Sequence, residues 1–195
     1  MKEKIAKAIR IVTVPPVIVS ILILILVKVK PEMFRSIWEP FFSVLCLGIV
    51  PALAYPVQPL IPALKKDRRE GQRTLAFIFT AAGYAVAFAV GYAVHVDRML
   101  QFLYNGYFLS VLVLVFFNKI LHIRASGHAT SITGPLIFLI FFTGPYALLP
   151  CILTEVLVFW SSLYLKRHKL TDLALGALVC LLAFAAAYLI YKVSP

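Results

Sequence analysis

Leu170-Thr-Asp-Leu-Ala-Leu-Gly-Ala-Leu-Val-Cys-Leu-Leu-Ala-Phe-Ala-Ala-Ala-Tyr-Leu-Ile-Tyr191 holds a single charged side chain, Asp172, near its start. A helix needs about 20 apolar residues to cross the hydrocarbon of a bilayer, and this run supplies them. A barrel strand uses about 10 residues and alternates apolar with polar side chains, which this run does not do. Backbone polar groups find no water inside lipid, so the run pairs its own amides as a helix. Six more apolar segments precede it: Ile11 to Val27, Pro40 to Leu64, Thr74 to Val94, Leu100 to Phe117, Ala129 to Phe142 and Tyr146 to Leu165. With 62% apolar residues among 195 and a mean hydropathy of +0.95, the chain reads as an all-α polytopic membrane protein.

The second segment contains Pro40, Pro51, Pro56, Pro59 and Pro62, which predicts a kinked, broken or re-entrant passage. Six spans are therefore weighed beside seven. Thr143-Gly144-Pro145 predicts a tight turn after the short fifth segment. Residues 1–195 read as one domain without linker or repeat. The basic start, Met1 to Lys7, has no small-x-small cleavage site after its apolar run, so it predicts a retained first span. Gly83, Ala87 and Gly91 lie four apart on one helix face, a stripe that suits close approach of another helix and, as one reading, a homo-oligomer.

The net charge of +11 falls in short loops, away from the aromatic residues, which argues against nucleic acid and for anionic headgroups and topology signals. Seven crossings put the N-terminus and the loops Lys65–Arg73, Lys119–His128 and Lys166–Lys169 on one side. That side holds most of the cations, and the positive-inside rule assigns it to the cytoplasm. Cys46, Cys151 and Cys180 lie in apolar segments without paired spacing and read as small buried hydrophobes.

Three polar clusters share the basic side, two spans apart each time. They are Lys66-Asp-Arg-Arg-Glu-Gly-Gln-Arg73, Ala125-Ser126-Gly127-His128, and His168-Lys-Leu-Thr-Asp172. On a helix, Asp172 stands one turn from His168, so its carboxylate is able to orient the ring through Nδ1 and leave Nε2 to attack phosphorus. In this order and spacing the clusters resemble the three motifs of the type 2 phosphatidic acid phosphatase superfamily, K-x6-R-P, P-S-G-H and S-R-x5-H-x3-D. Those membrane enzymes share an active site with vanadium haloperoxidases.

The resemblance implies an acid phosphatase/haloperoxidase-like helical core and hydrolysis of a lipid phosphate or diphosphate through a phosphohistidine. His168 is then the nucleophile, with Asp172 orienting it. His128 is the general acid, then the base that activates water. Lys66 and Arg73 hold phosphoryl oxygens, and Ser126 and the Gly127 N–H add donors at a helix N-terminus. The chemistry asks for no metal and no cofactor. The expected partners are the bilayer and an anionic lipid substrate, with the site at the cytoplasmic face of the cell membrane.

The chain departs from the motifs at three positions. Thr74 and Ala125 replace prolines, and Ser162 stands where the third motif has its phosphate-binding arginine. Arg124 and Arg167 are nearby candidates to replace that cation, or they are ordinary topology signals. A noncatalytic relative that binds or moves anionic lipids is the second reading, and a small transporter a third, weakened by the lack of inverted repeats. Glu155, inside the sixth segment, is a candidate partner for a basic residue of the site or a structural acid. His122 is a candidate substrate contact. Glu39, Trp38 and Trp160 read as interfacial, and His95 and Asp97 as residues of an opposite loop.

Overall fold

The computed structural model describes residues 1–62 and 68–193, and the described residues form helices and connecting loops with no strand. Helix α1 is Lys2–Val12, α2 Pro15–Val29 and α3 Trp38–Leu60. Next come α4, Arg68–Ala93, and α5, Arg98–Val115, the latter extended by a wide turn to Ile120. Helices α6, Gly127–Thr143, α7, Leu148–Tyr164, and α8, Leu170–Val193, complete the bundle. Among the described residues five stretches are long and apolar enough to cross a membrane, and α1 with α2, bent by 57°, make a sixth if taken as one span.

The first segment thus differs from the expected single run. Val14 is extended (φ −67°, ψ 148°), as a residue before proline prefers, and Pro15 restarts the helix at its first position. The amphipathic α1 lies against α7 while α2 continues against α6 and α3. The proline-rich second segment is not cut short: it runs from Trp38 to Leu60. A π-type turn at Leu45–Ile49 and a 3-10 turn at Gln58–Leu60 absorb the missing proline donors.

Helix α5 is the axis of the bundle: 61% of its most apolar window is buried, against 33% or less in the other four single spans. Asp97 starts it by accepting a hydrogen bond from the Met99 N–H at 2.8 Å. Helix α8 packs along α5 and α6. Phe102 of α5 is fully buried among rings, with centroids 5.1 Å from Phe138, 5.4 Å from Phe184 and 5.1 Å from Tyr191. Short α6 sits inside, touching α2, α5, α7 and α8. A helix enclosed in protein need not match the lipid thickness.

The Gly83–Ala87–Gly91 stripe is occupied by this chain's own helices. Gly83 abuts the Cys46 carbonyl of α3, and Gly91 abuts Gln101 and Tyr104 of α5. Leu153, Val156, Leu157, Leu181 and Leu189 are exposed on the outer surface, which water would penalise and hydrocarbon does not. Trp38 and Trp160 lie near opposite ends, as interfacial anchors do.

Candidate active site

The chain alternates between two ends of the bundle, so α1's last turn, the start of α4 and the loops before α6 and α8 gather at one end. A cavity of about 760 Å³ opens there. Around its mouth stand Arg10, Arg73, Lys119, Arg124 and Arg167 with His128 and His168. Deeper, its walls are Tyr84, Gly106, Tyr107, Phe138 and Phe184, from α4, α5, α6 and α8. Among the described lining residues there is no carboxylate, so the mouth is built for an anion and the depth for apolar matter.

Local chemistry fixes the two histidine loops. Ser126 caps α6, its Oγ accepting from the Ala129 N–H at 3.3 Å. The Ser126 N–H donates to the Asp172 carbonyl at 2.8 Å, tying this loop to the first turn of α8. Gly176 makes that approach feasible, because a Cβ there would meet the Ser126 carbonyl at 2.5 Å. Thr130 Oγ1 completes the seam by donating to the Gly176 carbonyl at 3.1 Å. His128, in the first turn of α6, thereby faces the cavity with Gly127.

Asn118 clamps the same loop from α5's extension. Its Nδ2 donates to the carbonyls of Leu114 (3.0 Å) and Ala125 (3.2 Å), and its Oδ1 accepts from the Ala125 N–H at 3.1 Å. A proline at 125 has no N–H to give. The alanine at 125 therefore keeps an N–H that Asn118 uses to hold the loop.

On the other side, Asp172 is buried and its Oδ2 serves three neighbours. The Lys169 N–H donates to it at 3.4 Å, a capping-box contact, and Arg124 Nε lies 3.5 Å away. His168 lies in the bend before α8, not within the helix as the spacing predicts, and its Nδ1 is 3.9 Å from the same oxygen, beyond hydrogen-bond reach. His168 Nδ1 and His128 Nε2 are both buried without a hydrogen-bond partner.

Burial foremost, then the Arg10 charge, holds both rings below their ordinary pKa of 6.5; His168 lowers His128 further. At His168, Arg124 and Arg73 act in the same direction and Asp172 opposes them. Both imidazoles are neutral at neutral pH, so each offers a lone pair.

Arg73, Arg124, Ser126, Gly127, His128, Arg167 and His168 all line the cavity, and Asp172 stands behind His168. Lys66 lies outside the described residues. His122 is exposed and does not line the cavity. Among the described residues Glu155 meets no basic side chain of the site; its Oε1 accepts from Thr133 Oγ1 at 2.6 Å, between α7 and α6. Asn118 and Arg10 escaped the sequence reading. Arg10 lies more than a hundred residues from its partners, and only the three-dimensional arrangement reveals it. Among the described residues, no group of three His, Cys, Asp or Glu side chains is placed to hold a metal ion. No protein-family model, curated protein or solved structure matches the chain.

Proposed function

We propose that the protein is a membrane phosphatase that hydrolyses the phosphate or diphosphate of a lipid through a phosphohistidine on His168. The observation that carries this reading is the convergence of His128, His168 and five cations on one cavity with apolar depths. A phosphate headgroup suits the cationic mouth, and a hydrocarbon tail suits the aromatic walls and the surrounding bilayer.

The chemistry follows from the neutral rings. Nε2 of His168 attacks phosphorus while the phosphoryl–oxygen bond to the lipid breaks. His128 passes a proton to the leaving oxygen, a proton it takes up from the monoanionic phosphate, since the empty site holds the ring neutral. The phosphorylated imidazole gains positive charge, which the Asp172 carboxylate offsets once the 3.9 Å gap closes. His128 then removes a proton from water, the oxygen attacks phosphorus, and the P–N bond breaks to free neutral His168; His128 returns its proton to the departing phosphate and is neutral again. Arg73, Arg124 and the Ser126–Gly127 turn hold the equatorial oxygens throughout.

Phosphate release by the purified protein from phosphatidic acid, phosphatidylglycerophosphate and a polyprenyl diphosphate tests the reading. His168→Ala removes turnover, and His128→Ala lowers it by about 100-fold or more. Hydrolysis that survives His168→Ala overturns the mechanism. Tight lipid binding with no release from any of the three favours the noncatalytic carrier instead.

A further inference from the structure

Arg10 occupies the last turn of α1, and α1 lies along α7. Its Nη1 donates to Ser162 Oγ at 3.0 Å. Ser162 is fully buried, and its hydroxyl receives the guanidinium of α1. The Arg10 side chain also lines the cavity that holds His128 and His168.

We propose that Arg10 is a ligand of the phosphoryl group, supplied by α1 and anchored by Ser162, in place of an arginine on α7. The proposal rests on the phosphatase reading of the cavity and adds the amino-terminal helix to the site. The Ser162 hydroxyl accepts from Arg10, and that anchor holds a planar fork of the kind that chelates a phosphate through two oxygens. Its charge reaches both rings: after burial it is the largest influence on the protonation of His128 and of His168. Arg10 lines the same cavity as the proposed nucleophile and the proposed acid, which places its fork on the side of a phosphoryl group held at His168.

Isothermal titration of the purified full-length protein with inorganic phosphate, and separately with dioctanoyl phosphatidic acid, tests this. Arg10→Ala weakens both ligands by about tenfold to a hundredfold, the span expected for a charged hydrogen-bonded contact. Arg10→Lys keeps the charge without the fork and falls between. Lys7→Ala, on the same helix and paired with exposed Glu3, changes neither affinity. The double variant Arg10→Ala/Ser162→Arg regains phosphate binding over Arg10→Ala, a rescue that damage to α1 packing does not produce. It also keeps the proposal testable where Arg10→Ala alone folds poorly.

Wild-type affinity in Arg10→Ala overturns the proposal, as does a loss confined to the lipid, which puts Arg10 against the rest of the molecule. A wild-type protein that binds neither ligand overturns it too. Lipid hydrolysis separates the two readings. Turnover unchanged in Arg10→Ala removes Arg10 and leaves the phosphatase standing. Arg10-dependent phosphate binding without wild-type turnover removes the phosphatase and keeps Arg10 as an anion ligand.

Discussion

At Asp172 a single carboxylate oxygen faces the Lys169 N–H, Arg124 and His168. The arrangement fixes a pH dependence. In the proposed mechanism His168 attacks only when deprotonated, and its pKa lies below 6.5 because burial, Arg10 and Arg124 outweigh Asp172. The acid limb of kcat/KM, which reports the free enzyme, is therefore expected below pH 6.5. Asp172→Asn removes the charge that favours the imidazolium, so the limb moves further down while kcat falls. A limb at or above 6.5 in the wild type contradicts the assignment of His168. The nearness of His168 to Asp172 was legible in their spacing of four, but not that the histidine stands before α8 with its ring 3.9 Å from the carboxylate. The clamp by Asn118 was not: asparagine at the end of an apolar helix has many uses, and only the folded loop selects one.

Elements meet at the site through a glycine of α8. Gly176 lets the start of α6 approach so closely that a Cβ would press on the Ser126 carbonyl and lie 2.8 Å from Ala129 Cβ. These are backbone and packed atoms, which have little room to yield. Gly176→Ala is expected to lower stability by about 1–3 kcal/mol as overpacking does. It shifts Ser126 and His128 as well, so turnover falls with stability. Gly134→Ala on α6 is the contrast, since its Cβ would meet Cys180 Sγ at an ordinary 3.6 Å. Thermal unfolding in detergent with parallel turnover assays separates the pair. Apolar runs located the five membrane-length stretches and the shorter α6 found among the described residues. They did not reveal the 57° break after α1, which is written in Val14-Pro15-Pro16, or that α6 lies enclosed. An enclosed helix and a lipid-facing one have the same composition, because protein interior and hydrocarbon select the same side chains.

For the whole molecule, the alternating ends turn one question into a measurement. The native cysteines Cys46, Cys151 and Cys180 are buried, so the wild type is a quiet background for thiol labelling. His122→Cys reports the end that carries the site, and Tyr146→Cys, at a position 91% exposed, reports the other. With the basic end inside, an impermeant maleimide added to intact cells labels only Tyr146→Cys. Labelling of His122→Cys from outside overturns that orientation. The charge asymmetry was legible in the sequence, but the same cations line a cavity, so the bias alone does not separate topology from ligand binding.

The bond from Arg10 to Ser162 joins residues 152 apart in the chain. Translation delivers them in the opposite of a convenient order. Arg10 reaches the membrane early, while the hydroxyl that receives it and the carboxylate behind His168 follow only when α7 and α8 are made. A nascent chain therefore lacks the His168–Asp172 side of the cavity until the start of α8 has been made, so the proposed hydrolysis has to wait for that helix.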